Sequence, residues 1–156
     1  MSPASNQRFS ALRLPVDLRL RRILVVDSDD TSREILLRRL AALHLHELRV
    51  ASSGMEAYDL LQRAEVPIDL LITELDLPGH DGYALIRSIR NSRDLADPQI
   101  AIIAVSGVKD GQILSRLQRL DVVSLLVKPV TGRKLFDAIS VALRNTKPRP
   151  PEVKTL

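Results

Sequence analysis

Cysteine is absent from the 156 residues, which excludes disulfides, zinc–thiolate centres and cysteine nucleophiles. Aromatic residues are scarce: only Phe9, Tyr58, Tyr83 and Phe136 occur, with no tryptophan. That is too few for a platform that stacks successive single-stranded bases. The six glycines build neither a GxGxxG turn nor a P-loop, so the familiar backbone cradles for phosphate are missing. The longest apolar runs, such as 100–105 and 125–127, fall far short of a bilayer span. The first residues hold no hydrophobic secretory core, so no membrane insertion and a cytoplasmic location are expected.

What is present describes a soluble globular chain: 45% hydrophobic and 27% charged residues, with a length that suits one domain. The charge is uneven. Residues 1–22 carry five arginines against Asp17, a net +4, and residues 144–156 carry four cations against Glu152, a net +3. Since the whole chain is +4, residues 23–143 sum to −3. The basic character therefore belongs to the ends. We expect a basic N-terminal extension over 1–22, a globular domain over 23–144, and a proline-rich basic tail over 145–156. Within the extension, residues 16–21 alternate apolar and charged, the period of a short edge strand or of a segment that docks on a partner.

Between the ends, five apolar runs alternate with five helical patterns. The runs are 23–26, 48–51, 68–72, 100–105 and 122–127, rich in Ile, Val and Leu without clean alternation, as for strands covered on both faces. A capping box at Thr31-Ser32-Arg33-Glu34 opens the first helix, whose stripe is Leu36, Leu40 and Leu43. The later stripes are Ala57/Leu60/Leu61/Ala64, Gly82/Leu85/Ile86/Ile89, Ile113/Leu117/Leu120 and Leu135/Ile139/Ala142/Leu143. Strand then helix, five times over, predicts an α/β doubly wound parallel sheet with right-handed crossovers. Ligand chemistry in such a sheet gathers beyond the carboxyl ends of the strands.

Those ends carry Asp27-Ser28-Asp29-Asp30, Thr73-Glu74 followed by Asp76, Ser106-Gly107 and Lys128-Pro129. Carboxylates, a hydroxyl and an ammonium converging on one pocket suit a hard cation and a phosphoryl group. With Ile23-Leu24-Val25-Val26-Asp27, Arg33, Pro78-Gly79-His80-Asp81-Gly82, Val105-Ser106-Gly107 and Val127-Lys128-Pro129 in this order and spacing, the chain resembles the receiver domain of two-component response regulators over roughly residues 21–144. The resemblance implies a flavodoxin-like (βα)5 fold with strand order 2-1-3-4-5. It also implies a signalling role without catalysis, with a sensor kinase or another regulator as partner. The contact surface would be the fourth helix, fifth strand and fifth helix, here 113–120, Leu125 and 131–143. The segment 16–21 is expected to add a contact or to support a homodimer.

Three positions depart from the family pattern. The phosphoacceptor aspartate, four residues before the loop proline, is replaced by Glu74. The acidic pair after the first strand becomes Asp27 and Ser28, with a neutral serine at the position of the direct metal ligand. Leu125 stands where a switch aromatic is common. A pocket of Asp27, Glu74 and Asp76 is expected to hold Mg²⁺ weakly, and no other cofactor is expected. Glutamate reaches one methylene further than aspartate, so its carboxylate is expected near where a phosphoryl group would sit, within reach of Ser106 and Lys128. It carries one charge against about −1.5 to −2 for a phosphate. The expected protein is a pseudo-receiver that does not cycle by ordinary phosphorylation.

Two rival readings use the same residues. Asp27-Ser28-Asp29-Asp30-Thr31 after an apolar strand resembles the DxDxT motif of haloacid-dehalogenase-type Mg²⁺-dependent phosphatases, with Asp27 as nucleophile and Asp29 as acid/base. That family needs a further acidic motif after the lysine, where only Asp137 and Glu152 remain. Alternatively, arginine outnumbers lysine 18 to 5, which suits nucleotide or nucleic-acid contacts through the arginine-rich ends. Exposed arginines commonly serve solvation alone, so nucleic acid is not the expected main partner. His44 and His46 lack the spacing of further ligands and are expected to be ordinary surface and boundary residues.

Overall fold

Five short β-branched and leucine-rich segments form the centre of the computed structural model, which describes residues 12–77 and 81–144. They are β1 (Ile23–Val26), β2 (Leu48–Ala51), β3 (Leu70–Glu74), β4 (Ala101–Ser106) and β5 (Ser124–Val127). All pair in parallel in the order β2-β1-β3-β4-β5. The helices are α1 (Val16–Arg19), α2 (Asp30–Ala42), α3 (Gly54–Arg63), α4 (Gly82–Arg90), α5 (Gly111–Arg119) and α6 (Gly132–Arg144). This is the doubly wound fold with the predicted order. None of the described helices is long and apolar enough to cross a membrane.

The strands sort their side chains to two cores. Ile23, Val25, Leu70, Ile72, Ile103 and Val105 face α2 and α6, while Leu24, Val26, Leu71, Ile102 and Ala104 face α3, α4 and α5. Parallel strands buried on both sides need such two-faced apolarity, and β1 and β4 are buried throughout. The expectation fails at the sheet edges. Arg49 and Val50 of β2 are exposed, and β5 is only partly covered, because an edge strand has a neighbour on one side alone.

Two strand starts move inward by two residues, each for an identifiable reason. The expected run 68–72 pairs only from Leu70, since Asp69 is committed to the chain entry. Its carboxylate accepts the Arg22 amide at 2.9 Å, and the Asp69 amide donates to the Arg22 carbonyl, also at 2.9 Å. The run 122–127 pairs from Ser124, because residues 121–122 close the end of α5. Asp121 takes a left-handed conformation (φ 53°), and the Val122 amide donates back to the Leu117 carbonyl. His44 ends α2 in the same way (φ 65°), with the Leu45 amide donating to the Leu40 carbonyl.

Two local expectations are corrected. The segment 16–21 is not an edge strand: residues 16–19 form a helical turn behind Pro15. Leu14 and Leu18, four apart, are buried beside Leu40, Leu43 and Leu143, so the operative spacing is that of a helix face rather than of alternation. The N-cap of α2 is Asp29 instead of Thr31. Its carboxylate accepts the Ser32 amide at 2.7 Å, and the carboxylate binds an orphan helix amide more strongly than a hydroxyl does.

α4 begins with a close approach. The Gly82 amide donates to the Leu75 carbonyl at 2.8 Å, and a Cβ on Gly82 would stand 2.4 Å from the Glu74 carbonyl oxygen and 2.6 Å from the Leu75 Cα. At its other end, half-buried Arg90 donates to the carbonyls of Pro98, Ile100, Leu120 and Asp121. That clamp joins α4 to the entry of β4 and the exit of α5. Burial lowers the Arg90 pKa, opposed by the nearby Asp121 and Asp97. Residues 1–11, the Pro78-Gly79-His80 part of the loop and the tail 145–156 lie outside the described residues.

Candidate functional site

The register brings the strand ends level. Val26 pairs with Thr73, so Asp27 follows β1 beside Glu74; Glu74 pairs with Val105, and Ser106 with Val127, so Lys128 emerges next to Ser106. Asp27 is wholly buried. Its Oδ1 accepts the Asp29 amide at 2.9 Å and its Oδ2 accepts the Ser32 hydroxyl at 2.8 Å. Arg33 on α2 donates to the Asp27 carbonyl at 2.8 Å and pairs with Asp30. Asp27 is thus an anchored charge at the base of the pocket.

Glu74 bridges the pocket. Its Oε1 lies 3.3 Å from the Lys128 ammonium, which is also 3.6 Å from Asp27 Oδ2. Its Oε2 accepts both the amide and the hydroxyl of Ser28, each at 3.2 Å. With side-chain exposures of 0% for Asp27 and 12% for Glu74, the one ammonium, 32% exposed, faces two carboxylates that water scarcely reaches. Each is held by hydrogen bonds as well as by charge, as buried carboxylates require.

Sequence reasoning placed Glu74 and Lys128 together, and they are together. Ser28 is a partner that it missed: read as a failed metal ligand, serine here supplies two donors to Glu74. The local signal lay in pairing the two departures, since a longer acid and a shorter, neutral neighbour fill one space. The expected contact from Ser106 is not formed; its hydroxyl is buried and accepts the Val108 amide at 3.2 Å. Asp76 is exposed, on the loop beyond Glu74. Leu125 is partly buried against the apolar cluster that contains Leu117, so its side chain is occupied inside the fold rather than standing free.

The pocket does not fit the divalent ion that the resemblance implies. Oxygens of both carboxylates are already engaged by hydrogen bonds and Lys128, the serine offers Glu74 its proton, and Asp76 stands apart. Among the described residues no three His, Cys, Asp or Glu side chains gather as a cation site. His44 and His46 meet only edge to face, with ring centroids 6.4 Å apart. The phosphatase roles fit poorly too. Asp27 is sealed from any substrate, Asp29 is spent on capping α2, and Asp137 pairs with Arg133 within α6. Of the N-terminal arginines, Arg21 is buried beside Asp69 and is not available to a phosphate backbone.

A doubly wound parallel sheet with an acid–lysine pocket at its carboxyl edge defines a receiver-type signalling domain. Residues 23–140 match the family model described as the response regulator receiver domain, and the chain belongs to that family, a part of two-component signalling. It is 30% identical over 122 residues to a chemotaxis protein CheY homolog of Campylobacter jejuni, covering 78% of this chain and 92% of that protein. It is 29% identical over 145 residues to ethylene receptor 2 of Oryza sativa, covering 93% of this chain but only 19% of the receptor. The chain thus spans about a fifth of that relative's length. Among solved structures, a receiver domain protein from Clostridium thermocellum superposes with a TM-score of 0.70 at 27% identity, over 80% of this chain and 95% of that one. A receiver protein from Pseudomonas putida gives 0.68 at 32% identity, over 77% and 95%.

Proposed function

We propose that this protein is a pseudo-receiver: a receiver domain that signals by binding another protein, without aspartyl phosphorylation and without catalysis. The observation that carries the reading is Glu74, held by Ser28 on one oxygen and by Lys128 on the other. The lysine that would meet a phosphoryl oxygen is already satisfied, and the side chain that would accept the phosphoryl group is an engaged glutamate. With no free acceptor and no fitting cation donors, the pocket has one state where a cycling receiver has two, and a signal needs a differential interaction between two states.

The proposed contact surface comprises α5, β5 and α6. Val141 of α6 is 50% exposed, and Leu125, partly buried against the core cluster, gives β5 a fixed apolar contact. The partner is a sensor kinase or another regulator. Residues 1–22 and 145–156 are proposed as a basic extension and tail around the domain, with 12–22 anchored through Leu14 and Leu18.

Acetyl phosphate or beryllofluoride with Mg²⁺ should leave the protein's mass and amide spectrum unchanged. The double variant Ser28→Asp with Glu74→Asp should take up phosphate at position 74 in a Mg²⁺-dependent manner. Phosphate found on Glu74 or Asp76 of the unaltered chain sinks the proposal, as does a double variant that stays folded and inert.

A further inference from the structure

A groove of about 380 Å³ between α4 and α5 is lined by Asp81, Tyr83, Arg87, Arg116, Arg119 and Leu120. Of the exposed arginines elsewhere, Arg38, Arg63 and Arg133 pair with Glu34, Asp59 and Asp137 on their own helices, while Arg13, Arg49, Arg93 and Arg144 form no ion pair among the described residues. No such ion pair is formed by Arg87, Arg116 or Arg119 among the described residues. Arg116 instead lies over the Tyr83 ring, its Cζ 5.4 Å from the centroid, a cation–π contact that holds the guanidinium at the groove wall.

Helix-end cations stabilise a helix through its dipole, and all three arginines stand in last turns. That accounts for their positions along each helix but not for their facing one another across a cleft. The carboxylates around Tyr83 are those of Asp76, Asp81 and Asp110. Two of these are N-caps: Asp81 Oδ1 accepts the Ala84 amide at 2.7 Å and Asp110 Oδ1 the Ile113 amide at 2.8 Å.

We infer that the α4–α5 groove is a nucleotide-binding site. Three guanidiniums offer forked donors that match phosphate oxygens. Leu120 and the Arg116 guanidinium that lies over Tyr83 supply a wall for a planar base, and the volume is that of a small-molecule cleft. Asp81 distinguishes a nucleotide from an acidic peptide. With Oδ1 on the Ala84 amide, its Oδ2 is left to accept from a ribose hydroxyl or an exocyclic amino group, donors that ionised acidic side chains lack. Recognition here runs through side chains, which agrees with the absence of a glycine-rich phosphate cradle. The site is separate from the Glu74 pocket and does not depend on its reading.

The full chain, titrated calorimetrically with GTP, ATP, ribose 5-phosphate, inorganic phosphate and a deca-glutamate peptide, tests this. A nucleoside triphosphate should bind saturably and more tightly than the other three probes. The Arg116→Ala/Arg119→Ala variant should weaken it at least tenfold, and Arg87→Glu on the facing helix should do likewise. Arg133→Ala, outside the groove, should leave it unchanged, and unaltered circular dichroism checks the fold of each variant. No saturable nucleotide binding overturns the proposal. So does binding that folded groove variants retain, or a peptide or free phosphate that binds as tightly as the nucleotide.

Discussion

Ser28 and Glu74 make sense only as a pair. The longer acid reaches across the pocket, so that one of its oxygens accepts from the Ser28 amide and hydroxyl while the other faces Lys128. Directly beneath, Gly82 keeps the backbone of Glu74 in place by having no side chain. Gly82→Ala should therefore cost about 2–3 kcal/mol in denaturant unfolding, since a methyl group 2.4 Å from a carbonyl oxygen forces backbone movement. It should also shift the Glu74 and Ser28 amide resonances. A variant of unchanged stability would mean that the loop yields freely. Tyr83 shows the opposite kind of residue: its hydroxyl is buried without a partner among the described residues, and burial raises its pKa.

The starts of α2 to α6 each present a side-chain oxygen to a first-turn amide, and α3 shows the cost of removing such a device. Ser53 caps it by accepting the Glu56 amide at 3.2 Å, while the Glu56 carboxylate accepts the Ser52 amide and hydroxyl at 3.0 and 2.8 Å. The cap thus satisfies an orphan amide of the first turn, and the first-turn acid reaches back to the residue before the cap. The Ser52 hydrogen bonds, backbone first, lower the Glu56 pKa. A carboxyl whose folded pKa lies below its unfolded one stabilises the fold at neutral pH, and this contribution is lost as pH falls through the folded pKa. Glu56→Gln should therefore be less stable than the unaltered protein at pH 7, the gap closing as the solution is acidified below the ordinary carboxylate range. Thermal melts across that range measure it; a gap independent of pH would assign the effect to packing.

At the scale of the molecule, described residues ahead of the family-matched region join the core. Leu14 and Leu18 are 1% and 6% exposed and join the cluster shared by α2 and α6, and buried Arg21 faces Asp69 beneath β3. Leu14→Ala and Leu18→Ala should each cost about 2–4 kcal/mol, the usual penalty for emptying a buried leucine site. Both should leave the Glu74 pocket spectroscopically intact, because it lies at the other end of the strands. Losses below about 0.5 kcal/mol would make the segment an appendage.

Much of the fold was legible because its signal is periodic and local: β-branched runs alternating with amphipathic stripes specify a parallel doubly wound sheet, and acids, serine and lysine at four strand ends point to one pocket. Leu85, Ile86 and Ile89, like Leu135 and Ile139, are buried where the stripe put them. What sequence alone left open concerned partners distant along the chain. Whether Ser106 or Ser28 would hold Glu74, whether 16–21 would be strand or helix, and which arginines would face one cleft were decided only in three dimensions. The physical reason is range: a helix face or a strand is set by neighbours within a few residues, whereas a hydrogen bond across 46 residues exists only once the sheet has brought its ends level.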